Sequence, residues 1–280
     1  MTQRADVGEL DSPTTRFWRS LFTNKDREVA PLPIDLLHDP LHCDAPVLRH
    51  SEIAAVYTGQ RVAGDFYEFL RVGPSRMLFV LLDMAGLRAD TREILIAVQR
   101  TFRTLAPRLF AGEDFNETTA MIDLCNQMNL TILQGGVRSC PAFIGCYNED
   151  LGTVCYANAG HTPGLLRDQT GITLLRATGL PLGLFSHTTQ GAATCHLVPG
   201  AALVAVSRGI VEADMIGADN QVTEFGLDGV KHSFQNGAPL GARALCLTVL
   251  QAAREFTMTG PTHNDLTTLA LVRIASHDAD

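Results

Sequence analysis

Residues 141–161 read PAFIGCYNEDLGTVCYANAGH. The run AFIGCY at 142–147 and the run TVCYAN at 153–158 are short, apolar and aromatic, and NEDLG stands between them. Asn, Asp and Gly tolerate the tight backbone of a turn, so this spacing predicts a β-hairpin with antiparallel strands. The same grammar returns at 163–175, PGLLRDQTGITLL, around DQTG. Upstream, strand-like runs cover 51–58, 66–72 and 77–83, the last two parted by VGPS. Further strands are expected at 201–207 and 265–274.

Helical patterns fall in blocks between these strands. Asp90 can cap a first helix near 90–107, with Ile94, Val98, Phe102 and Leu105 on one face and Pro107 expected to end it. Asn116 can cap a second near 116–133, striped by Met121, Leu124, Cys125 and Met128. The two helices either bury these stripes in their own core or offer a regulatory or homodimer surface. Two more helical stretches lie near 226–235 and 239–256. Strands that come in hairpins predict an α+β fold, antiparallel sheets flanked by helices, and argue against a doubly wound parallel sheet.

The 280 residues are 46% hydrophobic and 19% charged, with a net charge of −8. An acidic chain with no Lys/Arg run argues against nucleic acid as a partner. The seven cysteines include no CxxC pair, and several sit in apolar runs. Buried, reduced thiols in a cytoplasmic protein are expected, rather than disulfides or zinc. No run approaches the roughly 18 apolar residues of a membrane span, and the N-terminus has no signal core. Residues 1–33, with Pro13, Pro31 and Pro33, read as a loosely ordered arm carrying FWRSLF (17–22); residues 34–280 read as one domain.

Three acids stand at strand ends: Asp65, Asp83 and Asp265. A carboxylate after a fully apolar strand is costly unless solvated, paired or bound to a metal. Oxygen ligands on rigid strand ends suit magnesium or manganese, though Asp also serves there as an ordinary turn or cap residue. In LVAVSRGIVEAD (203–214) another buried strand runs into a turn-like break at Ser207, Arg208 and Gly209, which sets a cation at a strand end.

The blocks RVAGDFYEF, LLDMAG, YANAGHTPGLLR, GLPLGLF, SRGIVEA with EFGLDGV, and NDLTTLALVRI occur in one order over about residues 45–275. This order resembles the SpoIIE/RsbU branch of the PPM-type, metal-dependent Ser/Thr protein phosphatases, whose blocks read GGDFYD, GDVSGKG, YANAGHNPP, GLPLG, TDGVTEA with EFG, and DDIT. The resemblance implies a sandwich of two antiparallel β-sheets flanked by helices. It also implies hydrolysis of phosphoserine or phosphothreonine by a water bridging two divalent ions, Mn2+ or Mg2+. No side-chain nucleophile is required, and the sequence shows neither a CxxxxxR loop nor a GxSxG elbow.

Carried over by position, Asp65 matches a second-metal ligand. Asp83 matches the acid that bridges both metals, and the Met84 backbone carbonyl follows it as a ligand. Ala63 replaces the first glycine of GGDFYD. The TDG aspartate, a first-metal ligand, falls on Arg208, and the two DDIT acids fall on Asn264 and Asp265. The first-metal half is therefore depleted, and one ion rather than two is expected. Two unit charges 4 Å apart at an effective dielectric of 20 interact by about 4 kcal/mol, and a divalent ion doubles this, so a guanidinium at Arg208 opposes an ion there. Its fork also suits a carboxylate or a substrate phosphate. His161 in NAGH is expected to be structural rather than a general acid. By family analogy the partner is a phosphorylated regulatory protein of the anti-sigma-factor-antagonist type. The alternative is a pseudophosphatase that binds such a partner without turnover.

Overall fold

The computed structural model describes residues 43–59, 64–84, 88–112, 115–187, 190–216, 220–235, 241–257 and 265–275. The 1–33 arm with FWRSLF, Ala63, Asn264 and the Asp90 side chain lie outside the described residues.

Two five-stranded antiparallel sheets form the framework. The first (sheet B) is built from β2 (Gly64–Arg71), β3 (Arg76–Met84), β4 (Ala142–Asn148), β5 (Thr153–Ala159) and β8 (Ala193–His196), in that spatial order. The second (sheet A) runs β1 (Ser51–Thr58), β12 (Leu266–Arg273), β9 (Ala202–Val206), β6 (Gly164–Asp168), β7 (Gly171–Leu175). The expected hairpins are the β4–β5 and β6–β7 pairs, with registers such as Cys146 opposite Cys155 and Leu166 opposite Thr173. A short ribbon of β10 (Asp214–Ile216) and β11 (Val222–Glu224) stands apart from both sheets.

Alternation along each strand divides the core in two. Met77, Phe79, Leu81, Phe143 and Tyr156 from sheet B meet Leu203, Ala205, Leu269 and Leu271 from sheet A, all buried, between the sheets. Phe143 stacks on Tyr156 with ring centroids 5.6 Å apart. Gly145 faces Phe79, and a Cβ there would overlap the phenyl ring. Truncating Phe79 to alanine would cost about 3–5 kcal/mol, as expected for a large side chain with no room to collapse.

The other faces of β3 and β4 carry Leu78, Val80, Leu82 and Ile144. They are covered by helices α1 (Arg88–Leu109) and α2 (Glu117–Gln134). The α2 stripe of Met121, Leu124, Cys125 and Met128 is fully buried, which assigns it to the core. Asn116 caps α2 through a hydrogen bond from Thr119 N at 3.0 Å. Pro107 does not end α1. It lies inside the last turn, where it removes the bond to the carbonyl four residues back and crowds it, yet the helix continues to Leu109 and Phe110 N still reaches Ala106 O at 3.0 Å. On sheet A, α5 (Ala242–Phe256) packs over β1 and β12, with α4 (Gly226–Gln235) beside it. The break after β9 is a single helical turn, α3 (Arg208–Val211), entered at Ser207. All seven cysteines are free thiols and six are buried. No described helix is long and apolar enough to cross a membrane.

Candidate functional site

Asp65 and Asp83 face each other across β2 and β3 as register partners. One step along, Gly64 pairs with Met84, and a Cβ on Gly64 would come 2.6 Å from the Met84 carbonyl oxygen. The glycine of the GD pair is thus fixed by close backbone approach, whatever the sequence before it. Both carboxylates are largely buried. Burial, reinforced by the charge of Asp83, raises the Asp65 pKa to about 7.

The matching end of sheet A supplies donors. Thr267 Oγ1 donates to Asp65 Oδ2 at 2.6 Å. The Ser207 hydroxyl also hydrogen bonds the Asp65 side chain, and it accepts Thr267 N at 3.0 Å. Arg208 follows at once: its backbone N lies 3.3 Å from Asp83 Oδ2 and its Nε 3.6 Å from the same oxygen. Nε also lies 3.7 Å from Glu212, one turn on in α3. The Arg208 side chain is 53% exposed, so this contact is screened by solvent and worth about 1 kcal/mol or less. Asp265 is buried with its carboxylate against Gly59, whose missing side chain makes the space. Its charge still reaches Asp65 and adds to the upward push there.

His161 is buried beside this cluster. Its Nδ1 lies 3.1 Å from both the carbonyl and the hydroxyl oxygen of Thr162. The Thr162 hydroxyl gives its proton to Val206 O, so both atoms facing Nδ1 accept. The proton therefore sits on Nδ1. Nε2 is a bare lone pair with no hydrogen-bond partner among the described residues. Burial lowers the His161 pKa, with Asp83 opposing. A neutral ring with no proton at Nε2 fits the structural role expected for it.

Glu68, three residues beyond Asp65, is buried and held by Gln99 Nε2 at 2.7 Å and Arg103 Nη2 at 2.9 Å, both from α1. Sequence reasoning assigned no role to Glu68, Thr267 or Ser207. The signal for Glu68 was a carboxylate inside an apolar strand, which demands a cation. For Ser207 and Thr267 the signal was positional: they fall on the threonines of the TDG and DDIT blocks.

Residues 73–274 match the family model of stage II sporulation protein E, SpoIIE. The chain belongs to the SpoIIE family. The match includes Asp83, Arg208 and Thr267 and begins after Asp65. Among solved structures, this SpoIIE-family chain is similar to the RsbU and RsbW domains of a Mycobacterium tuberculosis protein, with TM-score 0.64 and 20% identity over 85% of this chain and 64% of that one. It is also similar to the PP2C phosphatase domain of SpoIIE from Bacillus subtilis, with TM-score 0.61 and 15% identity over 81% of this chain and 63% of that one. The catalytic domain of the serine/threonine phosphatase PstP, solved with two manganese ions, aligns with TM-score 0.54 and 8% identity over 80% of this chain and 99% of that one. The curated protein IcfG of Synechocystis is 26% identical over 195 residues, 60% of this chain, and this chain spans only 30% of its length. The fold is that of the PP2C (PPM) phosphatases of the SpoIIE/RsbU kind.

The donor set can be weighed against the ions of that fold. Two adjacent carboxylates and the Met84 carbonyl are hard oxygen donors, suited to one magnesium or manganese ion completed by water. On the far side of Asp83 stands a guanidinium, which donates and cannot coordinate. Among the described residues no three His, Cys, Asp or Glu side chains gather into a metal cage.

Proposed function

We propose that the domain is a metal-dependent phosphoserine/phosphothreonine protein phosphatase of the SpoIIE/RsbU type with a depleted first-metal site. In this reading Asp65, Asp83 and the Met84 carbonyl hold a single Mn2+ or Mg2+ ion, with Asp265 and its sequence neighbour Asn264 as further candidate ligands. The observation that carries the reading is the register pairing of Asp65 with Asp83 at a buried strand end. Burial beside the like charge of Asp83 disfavours the ionised form of Asp65, whose pKa is raised to about 7, and a cation in this place would relieve that cost. A divalent ion in this place supplies an acidified water and offsets phosphoryl charge. Arg208, half exposed beside Asp83, is the residue placed to meet a phosphoryl oxygen. The substrate is a phosphorylated regulatory protein, of the anti-sigma-factor-antagonist kind by analogy with the RsbU and SpoIIE relatives. Residues 34–280 act as one domain that follows the 1–33 arm in sequence, and the outer faces of α1 and α2 serve as the regulatory or homodimer surface.

One observation favours a second reading. The cation of Arg208 already lies on Asp83, so the acid is partly neutralised without any ion. A pseudophosphatase that binds its phosphoprotein without turnover would need no more. Manganese titration by calorimetry, with phosphate release from an aryl phosphate and from a phosphoserine peptide, separates the two. One ion with measurable turnover supports the phosphatase. Peptide binding without turnover at saturating manganese supports the pseudophosphatase. Two tight ions would overturn the depleted site.

A further inference from the structure

The hydrogen bond from Thr267 to Asp65 joins residues 202 positions apart in sequence and crosses from one sheet to the other. Asp65 lies in β2 of sheet B, and Thr267 in β12 of sheet A. We infer that Thr267 is a positioning residue of the site: its hydroxyl fixes the Asp65 carboxylate and so sets the ion affinity of the acid pair. This rests on the one-ion reading above and adds to it the residue that orients the first ligand.

Three observations carry it. The bond is short, 2.6 Å, as expected for a hydroxyl donating to a carboxylate. Thr267 is fully buried, with its backbone N held by Ser207 Oγ at 3.0 Å and its backbone O accepting Ser207 N at 2.9 Å, so the hydroxyl has no freedom to follow a moving carboxylate. The paired strands fix the Asp65 backbone, so its carboxylate can turn away only by breaking the Thr267 bond. Engaging Oδ2 from the sheet A side leaves Oδ1 as the oxygen free of the Thr267 bond. Losing a partner that orients a metal ligand typically costs roughly 10- to 100-fold in metal affinity.

The test compares Thr267→Val, which keeps the branched shape and loses the donor, with Thr267→Ser, which keeps the donor. Manganese affinity is measured by calorimetry on the full chain, and crystal structures of both variants give the Asp65 orientation. The expected result is affinity at least about tenfold weaker in Thr267→Val and within about threefold of wild type in Thr267→Ser. A general packing defect would weaken both variants or neither. Wild-type affinity in Thr267→Val overturns the inference. If the wild type binds no manganese, the one-ion reading fails, and the inference is decided by the crystals. A carboxylate swung away in Thr267→Val and retained in Thr267→Ser supports it, and an unmoved carboxylate in Thr267→Val overturns it.

Discussion

The two sheets bring unlike ends to the same place. The β2–β3 end of sheet B presents two carboxylates in register and little else. The β9–β12 end of sheet A presents a threonine hydroxyl, a serine hydroxyl, a backbone N–H and a guanidinium, all directed at those carboxylates. One end is an acid pair that calls for positive charge. The other answers part of that call from within the chain, with hydroxyl and N–H donors and a guanidinium. A carboxylate can be satisfied by hydrogen bonds and a fixed cation as well as by a metal.

The most severe way to break this contrast is to make the two ends alike. Arg208→Asp combined with Asn264→Asp replaces a cation and an amide by acids. A second manganese ion should then bind, and phosphate release should rise roughly 100-fold, equivalent to about 2.7 kcal/mol of barrier. Turnover against manganese concentration checks this, and an unchanged rate would remove Arg208 from the ion site. Asp83→Asn attacks the other end. It deletes the acid that both the ion and Arg208 contact, so calorimetric ion binding should vanish. Retained affinity would show that Asp65 binds without its register partner.

A third measurement isolates the charge on Asp65. Its folded pKa of about 7 lies above the roughly 3.9 of an exposed aspartate. Between those values the folded chain holds a proton that the unfolded chain has lost. Stability from this group therefore falls as pH rises from about 4 to about 7 and stays low above it. In chelator, Asp65→Asn should flatten that slope and stabilise the protein at pH 8 by about 2–4 kcal/mol. Denaturant melts at pH 5 and pH 8 test the sign; a variant no more stable than wild type at pH 8 would mean that the donors of sheet A fully offset the charge. The smallest effect belongs to Arg208→Ala. It removes a half-exposed cation without adding a ligand, so stability should drop by about 1 kcal/mol or less and manganese affinity should rise by about threefold at most. A larger gain in affinity would mean that Arg208 blocks the ion more strongly than its exposure implies.

The sequence made the antiparallel framework legible because its hairpins carry turn chemistry between apolar runs, as at NEDLG and DQTG. It hid the pieces too short for a period. Ala193–His196 alternates between half-buried and exposed, and the β10–β11 ribbon is mostly exposed, so neither shows a buried face to read. The turn-like break at Ser207 proved to be one turn of helix, a distinction that Arg208 and Glu212 at four-residue spacing could have drawn. At the site, acids at the ends of apolar strands advertised themselves through their cost. Thr267 and Ser207 carried no such cost; they stand on the threonines of the DDIT and TDG blocks, but a hydroxyl is cheap in a strand and its role became legible only from its partner across the fold.

The position of β12 has a consequence for how the chain is made. Sheet B is complete once His196 has been synthesised, and each of its pairings joins strands that follow one another among its own members. Sheet A is not: β1 waits from Ser51 until Arg273 for the strand it pairs with, because the last strand is an inner one. A nascent chain therefore carries β1 without its β12 partner until Arg273 has been made, and unpaired edges are where newly made proteins associate wrongly. Closure of that sheet, the slow long-range event in this topology, is also the moment Thr267 arrives beside Asp65. Asp65 gains its Thr267 bond only in a molecule in which β12 is in place, so the local order of the acid pair reports on closure of a distant sheet.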